Sequence, residues 1–569
     1  MPDSINPFDR FSNLKTVDVL NEETLIERYE KLLSFELKCM EDFLRFQSEK
    51  DEIDIHIYNE ISECNYLYSA YNNNVEYQEK MELLEDKILP LTRKYGQLID
   101  EKILANHFIE EIGEEFNILI QSKKNSVKLF CNENLDLIKE HNQVRQNIVK
   151  LQNDLKFEWE NQIITHREIN AFLKSSNQEI RKKAYEIIIK TRALNGEKVE
   201  DQFDHLLKLR NQIAQNAGFS NYIEYRFCEL RRFEWGPKEC HEFHHAVKKH
   251  ILPIKIKLNQ KKLNSLTTDK MKPYDVNFYS KNEGTLLQIE EIKDIEKLTS
   301  GVAKIFKSID IELYEYFIKM KDLNLLDLEE REHKLEGGYM ITYPLYELTS
   351  IFNINDGSIE DLLTLLHETG HCFHYYLSKH IKPFELQELT PEVAEAGSTT
   401  LEFFGIEMLE EFLSKDQSKI IKNERLNYVV DTFITSAKVD EFQHWLYSNP
   451  NHSSEMRREK WIELTKLYSP ELDYEGYEDY ISQYQWQLSH IICQPFYYID
   501  YAISELLALT LWDKFKENPT GAVTQYKKGC SLGASKSVYE IYKSFGCNFE
   551  FGEQVLEPLA KRLELELKL

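Results

Sequence analysis

Several things are scarce in this sequence, and each scarcity excludes something. Glycine (19) and proline (14) are few for 569 residues, so helix, not a turn-dense fold, is the default reading for most of the chain. No stretch reaches about 18 consecutive apolar residues, which excludes a membrane-spanning helix. Positive charge is in deficit: the net charge is −27, and that surface repels nucleic acid and anionic membranes alike. The nine cysteines are odd in number and none forms a C-x-x-C pair. Reduced core thiols are therefore expected instead of a disulfide framework. The opening MPDSINPFDRFSNLKTVDVL has no basic start followed by an apolar run, so no signal peptide is expected. Together these point to a cytoplasmic globular protein with no nucleic-acid or membrane partner.

What is present is helical periodicity. Residues 22–174 interleave apolar and charged side chains at helical spacing, as in NENLDLIKEHNQVRQNIVKLQNDL, and are expected to pack as a bundle without chemistry. A division near residue 180 gives an N-terminal helical lobe, 1–180, and a second region, 181–569. The polar stretch 266–284, punctuated by Pro273 and Gly284, is expected to be a long loop. One segment breaks the helical pattern. GGYMITYPLYELTSIFNINDGS, residues 337–358, is rich in Tyr, Ile, Thr and Phe. It predicts two short strands, Tyr339–Thr342 and Thr349–Ile354, closed by Asn355-Asp356-Gly357.

The next segment, LLTLLHETGHCFHYY, carries the chemistry. Ser358 and Asp361 form a capping-box pattern at its start. Leu362, Leu363, Leu365, Leu366, Phe373 and Tyr376 then place His367, Glu368 and His371 well inside a buried helix. Positions i and i+4 share one helix face, roughly 6 Å apart along the axis. Both imidazoles therefore reach one ion at about 2.0–2.1 Å. Glu368 is rotated about 100° from His367. It faces a water on that ion instead of acting as an equal ligand. Gly370 inside the helix costs up to about 1 kcal/mol against Ala, which predicts close approach of a neighbouring element.

A catalytic zinc site takes a third protein ligand and keeps an open position. The motif helix is expected to end near Lys379. A second helix begins in LTPEVAEAGSTTLEFF, with Thr390 as N-cap and Pro391 as its first residue. Glu395 and Glu392 compete for the third ligand. Ala394, Ala396 and Gly397 around Glu395 permit close helix approach, whereas Glu392 sits nearer the solvent-facing start. Glu402, seven residues after Glu395 on the same face, suits a partner that orients a ligand imidazole. Further on, SHIICQPFYYIDYAISELLAL offers His490, Tyr497, Tyr498 and Tyr501 as donors to an oxyanion. Tyr498 and Tyr501 are i, i+3 on one helix.

GGYMITYPLYELTSIFNIN, LLHETGHCFHYY, TPEVAEAGSTTLEFF and HIICQPFYYIDYAISELLAL together resemble the thimet oligopeptidase and oligoendopeptidase F family of zinc metallopeptidases. The likeness is nearest to the bacterial oligoendopeptidase F and Pz-peptidase branch and runs from about residue 170 to the C-terminus. It implies a mainly α, zincin-like fold: two helical lobes around a deep channel, with a small β-sheet next to the zinc-binding helix. It implies one zinc per chain held by His367, His371 and Glu395, and Glu368 as general base and acid. It implies His490, Tyr498 and Tyr501 as donors to the tetrahedral intermediate. Thr349–Ile354 would be the edge strand that pairs with the substrate backbone. The expected activity is hydrolysis of internal bonds in short unfolded peptides. A zinc exopeptidase and a helical scaffold with a structural zinc are the rival expectations.

Overall fold

A computed structural model describes residues 7–569 other than 108, 110, 111, 267 and 288. Helices dominate, and among the described residues the strands amount to a hairpin, β1 (Phe157–Trp159) and β2 (Gln162–Ile164), and a three-stranded sheet. Contacts group the chain into two compact units. One comprises Met1–Lys128, Ile289–Ser418 and Leu507–Phe549; the other comprises Leu129–Gln288, Lys419–Leu506 and Glu550–Leu569. Both are discontinuous, so they do not follow a division in chain order at residue 180, which falls inside the helix Gln178–Asn216.

In the first unit the amphipathic pattern of residues 22–104 becomes a core. Leu25, Tyr29 and Leu32 bury one face of the helix Glu22–Leu33, whose N-cap Asn21 accepts from Thr24 N at 3.1 Å. They join Phe43, Phe46, Ile53 and Ile57 from Met40–Ala70, and Tyr95, Ile99 and Ile103 from Leu89–Leu104. Burial of such side chains contributes about 1.5–3 kcal/mol each before ordering costs.

The same unit holds the sheet, with β3 (Leu326–Asp327), β4 (Tyr339–Tyr343) and β5 (Leu348–Phe352) in the order β3-β5-β4. β4 and β5 match the two strands expected from sequence. Their connection is the short turn between Tyr343 and Leu348, with Tyr346 N bonded to Tyr343 O at 3.1 Å. The assignment of Thr349–Ile354 as the sheet edge is corrected. β5 is the central strand, parallel to β3 and antiparallel to β4, and all five of its residues are buried. The flanking strand β3 has two residues, too few for any periodic signal. β4 is the edge.

The expected capping box also fails to form. Ser358 is the N-cap but its side chain makes no cap bond. The Asp361 carboxylate instead accepts from Asp356 N (2.8 Å) and Gly357 N (2.7 Å). Gly357 has φ +84, a left-handed turn that suits glycine. Residues 266–284 are less loop-like than expected, with a short 3-10 turn at Pro273–Asp275 and a helix beginning at Lys281. Among the described residues, no helix is long and apolar enough to cross a membrane.

Candidate metal centre

The histidine helix, Ile359–Ser378, buries Leu362, Leu365, Leu366 and Phe373. That leaves His367 and His371 on the adjoining face. The loop that follows is tied down by buried charge. Lys123 bonds Asp100 (3.0 Å) and Glu385 (2.9 Å), Lys50 pairs with Glu385 at 3.1 Å, and Asp51 accepts from Phe384 N at 2.9 Å. Burial alone would raise the Glu385 carboxyl, but the two lysines outweigh it and hold it at about 2. The chain then enters the glutamate helix, Pro391–Glu407, with Thr390 as N-cap and Pro at its first turn. Tyr542 Oη donates to Glu392 O at 2.9 Å, an anchor too distant in sequence to be foreseen. Glu392 is 1 % exposed, so its expected place at a solvent-facing start is corrected.

The two helices cross through glycines. A Cβ on Gly370 would lie 2.5 Å from Ser398 Cα, one on Gly397 2.7 Å from His374 Nδ1, and one on Gly405 2.8 Å from Leu366 Cδ1. The close approach expected at Gly370 is therefore backbone against backbone. Gly370→Ala is expected to lower the urea midpoint, because overpacking costs about 1–3 kcal/mol against a helix gain of at most about 1 kcal/mol. It is also expected to weaken zinc retention against a chelator, since the crossing sets the ligand spacing. Gly96→Ala, in the helix Leu89–Leu104 with nothing within 4 Å of the new methyl, is expected to gain about 0.5–1 kcal/mol. Wild-type behaviour of Gly370→Ala in both measurements would exclude the tight crossing.

This crossing brings three ligand atoms together. His367 Nε2 and His371 Nε2 are 3.2 Å apart, and Glu395 Oε2 lies 3.3 Å from the first and 3.8 Å from the second. Ligands at about 2.0–2.1 Å from a tetrahedral zinc stand about 3.3 Å from one another, so the set fits zinc. His367 Nδ1 is 2.6 Å from Glu402 Oε1, the imidazole-orienting contact expected of Glu402. Burial disfavours the His367 imidazolium, yet hydrogen bonds to Glu395 and Glu402 outweigh it and its pKa is raised well above the usual value. His371, where burial prevails, is lowered. The paired carboxylates thus draw positive charge to this point. Glu368 is 7 % exposed, and among the described residues nothing hydrogen-bonds its carboxylate. Cys372, beside His371, is fully buried and burial pushes its thiol far up, so it is a neutral packing residue. His374 is buried with neither ring nitrogen bonded, and burial lowers it to about 3.

His490, Tyr498 and Tyr501 also come together, in the second unit. His490 lies in the turn Ser489–Ile492, and the tyrosines open the helix Tyr498–Glu517. Ring centroids are 4.8 Å apart for His490 and Tyr498, 5.7 Å for His490 and Tyr501, and 5.5 Å for the tyrosines. Tyr501 Oη is 3.4 Å from His490 Nε2. Burial raises the Tyr498 phenol to about 12, so it stays a donor at working pH. Arg232 fixes the start of this helix by donating to Asp500 at 2.8 and 2.9 Å.

Comparison with known proteins follows the same outline. The model of peptidase family M3 matches residues 171–561. Oligopeptidase PepF of Bacillus subtilis is 24 % identical over 492 residues, 82 % of this chain and 69 % of that protein. An oligoendopeptidase F homolog of Borreliella burgdorferi is 27 % identical over 247 residues, which is 41 % of this chain and only 40 % of the relative's length. Among solved structures, Pz peptidase A with inhibitor 2 superposes with a TM-score of 0.85 at 24 % identity, covering 97 % of this chain and 98 % of that one. The oligoendopeptidase-F of Enterococcus faecium gives 0.64 at 16 % identity, covering 99 % and 98 %.

Proposed function

The chain belongs to peptidase family M3, and from that premise we propose that it is a zinc-dependent oligoendopeptidase cutting internal bonds of short unfolded peptides. The observation that carries this reading is the convergence of His367, His371 and Glu395, with Glu402 holding one imidazole and Glu368 without a hydrogen-bond partner among the described residues. Three protein ligands with both histidines on one helix suit a catalytic zinc site more than a closed structural one. Zinc, when bound, supplies a Lewis acid that polarises the scissile carbonyl and lowers the pKa of water towards about 7.

The remaining work falls to this chain's own side chains. Glu402 accepts from His367 Nδ1–H, which fixes the tautomer and leaves Nε2 free to coordinate. Glu368 takes the proton of the attacking water on its carboxylate and later gives a proton to the leaving amine. Tyr501, with Tyr498 or His490, donates to the oxygen on which negative charge develops.

The test is cleavage of a blocked, quenched peptide, followed by product mapping. Internal cuts that stop on chelation and return with zinc are expected. Chelator-resistant cleavage would overturn the zinc assignment, and removal of terminal residues only would make the enzyme an exopeptidase.

A further inference from the structure

A second cluster, in the other unit, has the chemistry of a metal site and contains none of the residues assigned to peptide hydrolysis. Four of the chain's 17 histidines fall in CHEFHHAVKKH, residues 240–250. Cys240 and His244 are i, i+4 on the helix Pro237–Ala246, and both are buried. Asp440 and His444 are i, i+4 on the helix Lys415–Ser448, and both are buried as well. Each helix therefore turns one pair of side chains towards the other. Ligand atoms of Cys240, Asp440 and His444 all lie within 4.8 Å of one another.

Separations within the cluster sort the residues. His444 Nε2 stands 3.4 Å from Asp440 Oδ2, close to the roughly 3.3 Å expected between two ligands of one tetrahedral zinc. His244 Nε2 stands 2.7 Å from the same oxygen, a hydrogen bond that orients the carboxylate. Other polar atoms are left over. Asp440 Oδ1 and His444 Nε2 are buried without a hydrogen-bond partner. Cys240 is fully buried and hydrogen-bonds nothing among the described residues. Orphaned buried acceptors are costly, and a shared cation would satisfy all three at once. The nearby Arg232 guanidinium is already neutralised by Asp500 at 2.8 Å. Next to the cluster lies a surface residue. His241 is exposed, lines a surface pocket with His245 and Glu553, and has its ring centroid 5.0 Å from that of His444.

We propose that Cys240, Asp440 and His444 form a second divalent-cation site, of zinc-type ligand chemistry, with His244 as a positioning residue. On binding, the Cys240 S–H bond breaks heterolytically, its proton leaves to solvent, and the sulfur pair coordinates the ion. Thiolate, carboxylate and neutral imidazole then balance a dication, leaving the buried site without net charge. The ion clamps the helix Pro237–Ala246 to Lys415–Ser448, with a fourth position open towards His241.

Full-length protein stripped with chelator and titrated with Co2+ alone decides the matter. The His367, His371 and Glu395 set contains no sulfur, so a thiolate-to-cobalt charge-transfer band reports on a cysteine. The band is expected in the wild type, in His371→Ala and in Cys372→Ser. It is expected to vanish in Cys240→Ser and to weaken severalfold in His444→Ala. No band in the wild type overturns the proposal, as does a band that survives Cys240→Ser or is lost in Cys372→Ser. Should Cys240→Ser fail to fold, the wild-type, His371→Ala and Cys372→Ser spectra still decide. The band does not depend on the peptidase reading, so either can fail alone.

Discussion

Glu368→Gln is expected to keep its zinc and lose about 10²–10⁴-fold in kcat, the contribution of a positioned general base. The amide has the size and hydrogen-bonding reach of the carboxylate but cannot accept a proton from water at neutral pH. Zinc should remain because the residue is not a ligand: it is rotated about 100° from His367 around the helix. The coordinating atoms are on His367, His371 and Glu395, and nothing among the described residues bonds the Glu368 carboxylate. Folding should also survive, since the change orphans no hydrogen-bond partner of Glu368 among the described residues. The measurements are zinc content by elemental analysis and kcat on a quenched peptide. Full activity in the variant would end the proposed chemistry. Parallel loss of zinc and activity would instead make Glu368 a support of the site.

Much of this site was legible in the sequence because its order is local. His367 and His371 are one turn apart, Glu395 and Glu402 two turns apart, and helical geometry alone puts each pair on one face. Gly370 announced a close contact because glycine inside a helix is costly, and Ser398 proved to be that contact. What stayed hidden depends on partners remote in the chain. The family resemblance makes Thr349–Ile354 an edge strand, but residues 325–328 bond its other side, with Ile351 N to Leu325 O at 2.8 Å. Asp361 reads as half of a capping box, but the turn at Gly357 brings two backbone N–H groups to its carboxylate first. Ser358 and Asp361 therefore satisfy different backbone groups, a competition settled by backbone angles that no residue pattern encodes. The facing pairs Cys240/His244 and Asp440/His444 are some 200 residues apart in the chain, and neither pair is a recognisable motif alone.

Tyr501→Phe is expected to lower kcat by about 10²–10³-fold, the effect of removing one donor to a developing oxyanion, with zinc content unchanged. The substitution deletes a single hydroxyl and keeps the ring, so the aromatic packing against His490 at 5.7 Å and Tyr498 at 5.5 Å survives. The donor matters most when charge is greatest, so KM should move far less than kcat. Tyr497, whose ring is 5.5 Å from that of Tyr501, provides the contrast. Tyr497→Phe perturbs the same aromatic cluster without removing an assigned donor, and only a small change in kcat is expected. Equal losses in the two variants would assign the cluster to packing. A fall in zinc with kcat per bound zinc preserved would make Tyr501 structural. A selective loss of kcat in Tyr501→Phe alone leaves donation to the oxyanion as the role that fits, because the hydroxyl is the only group the variant lacks.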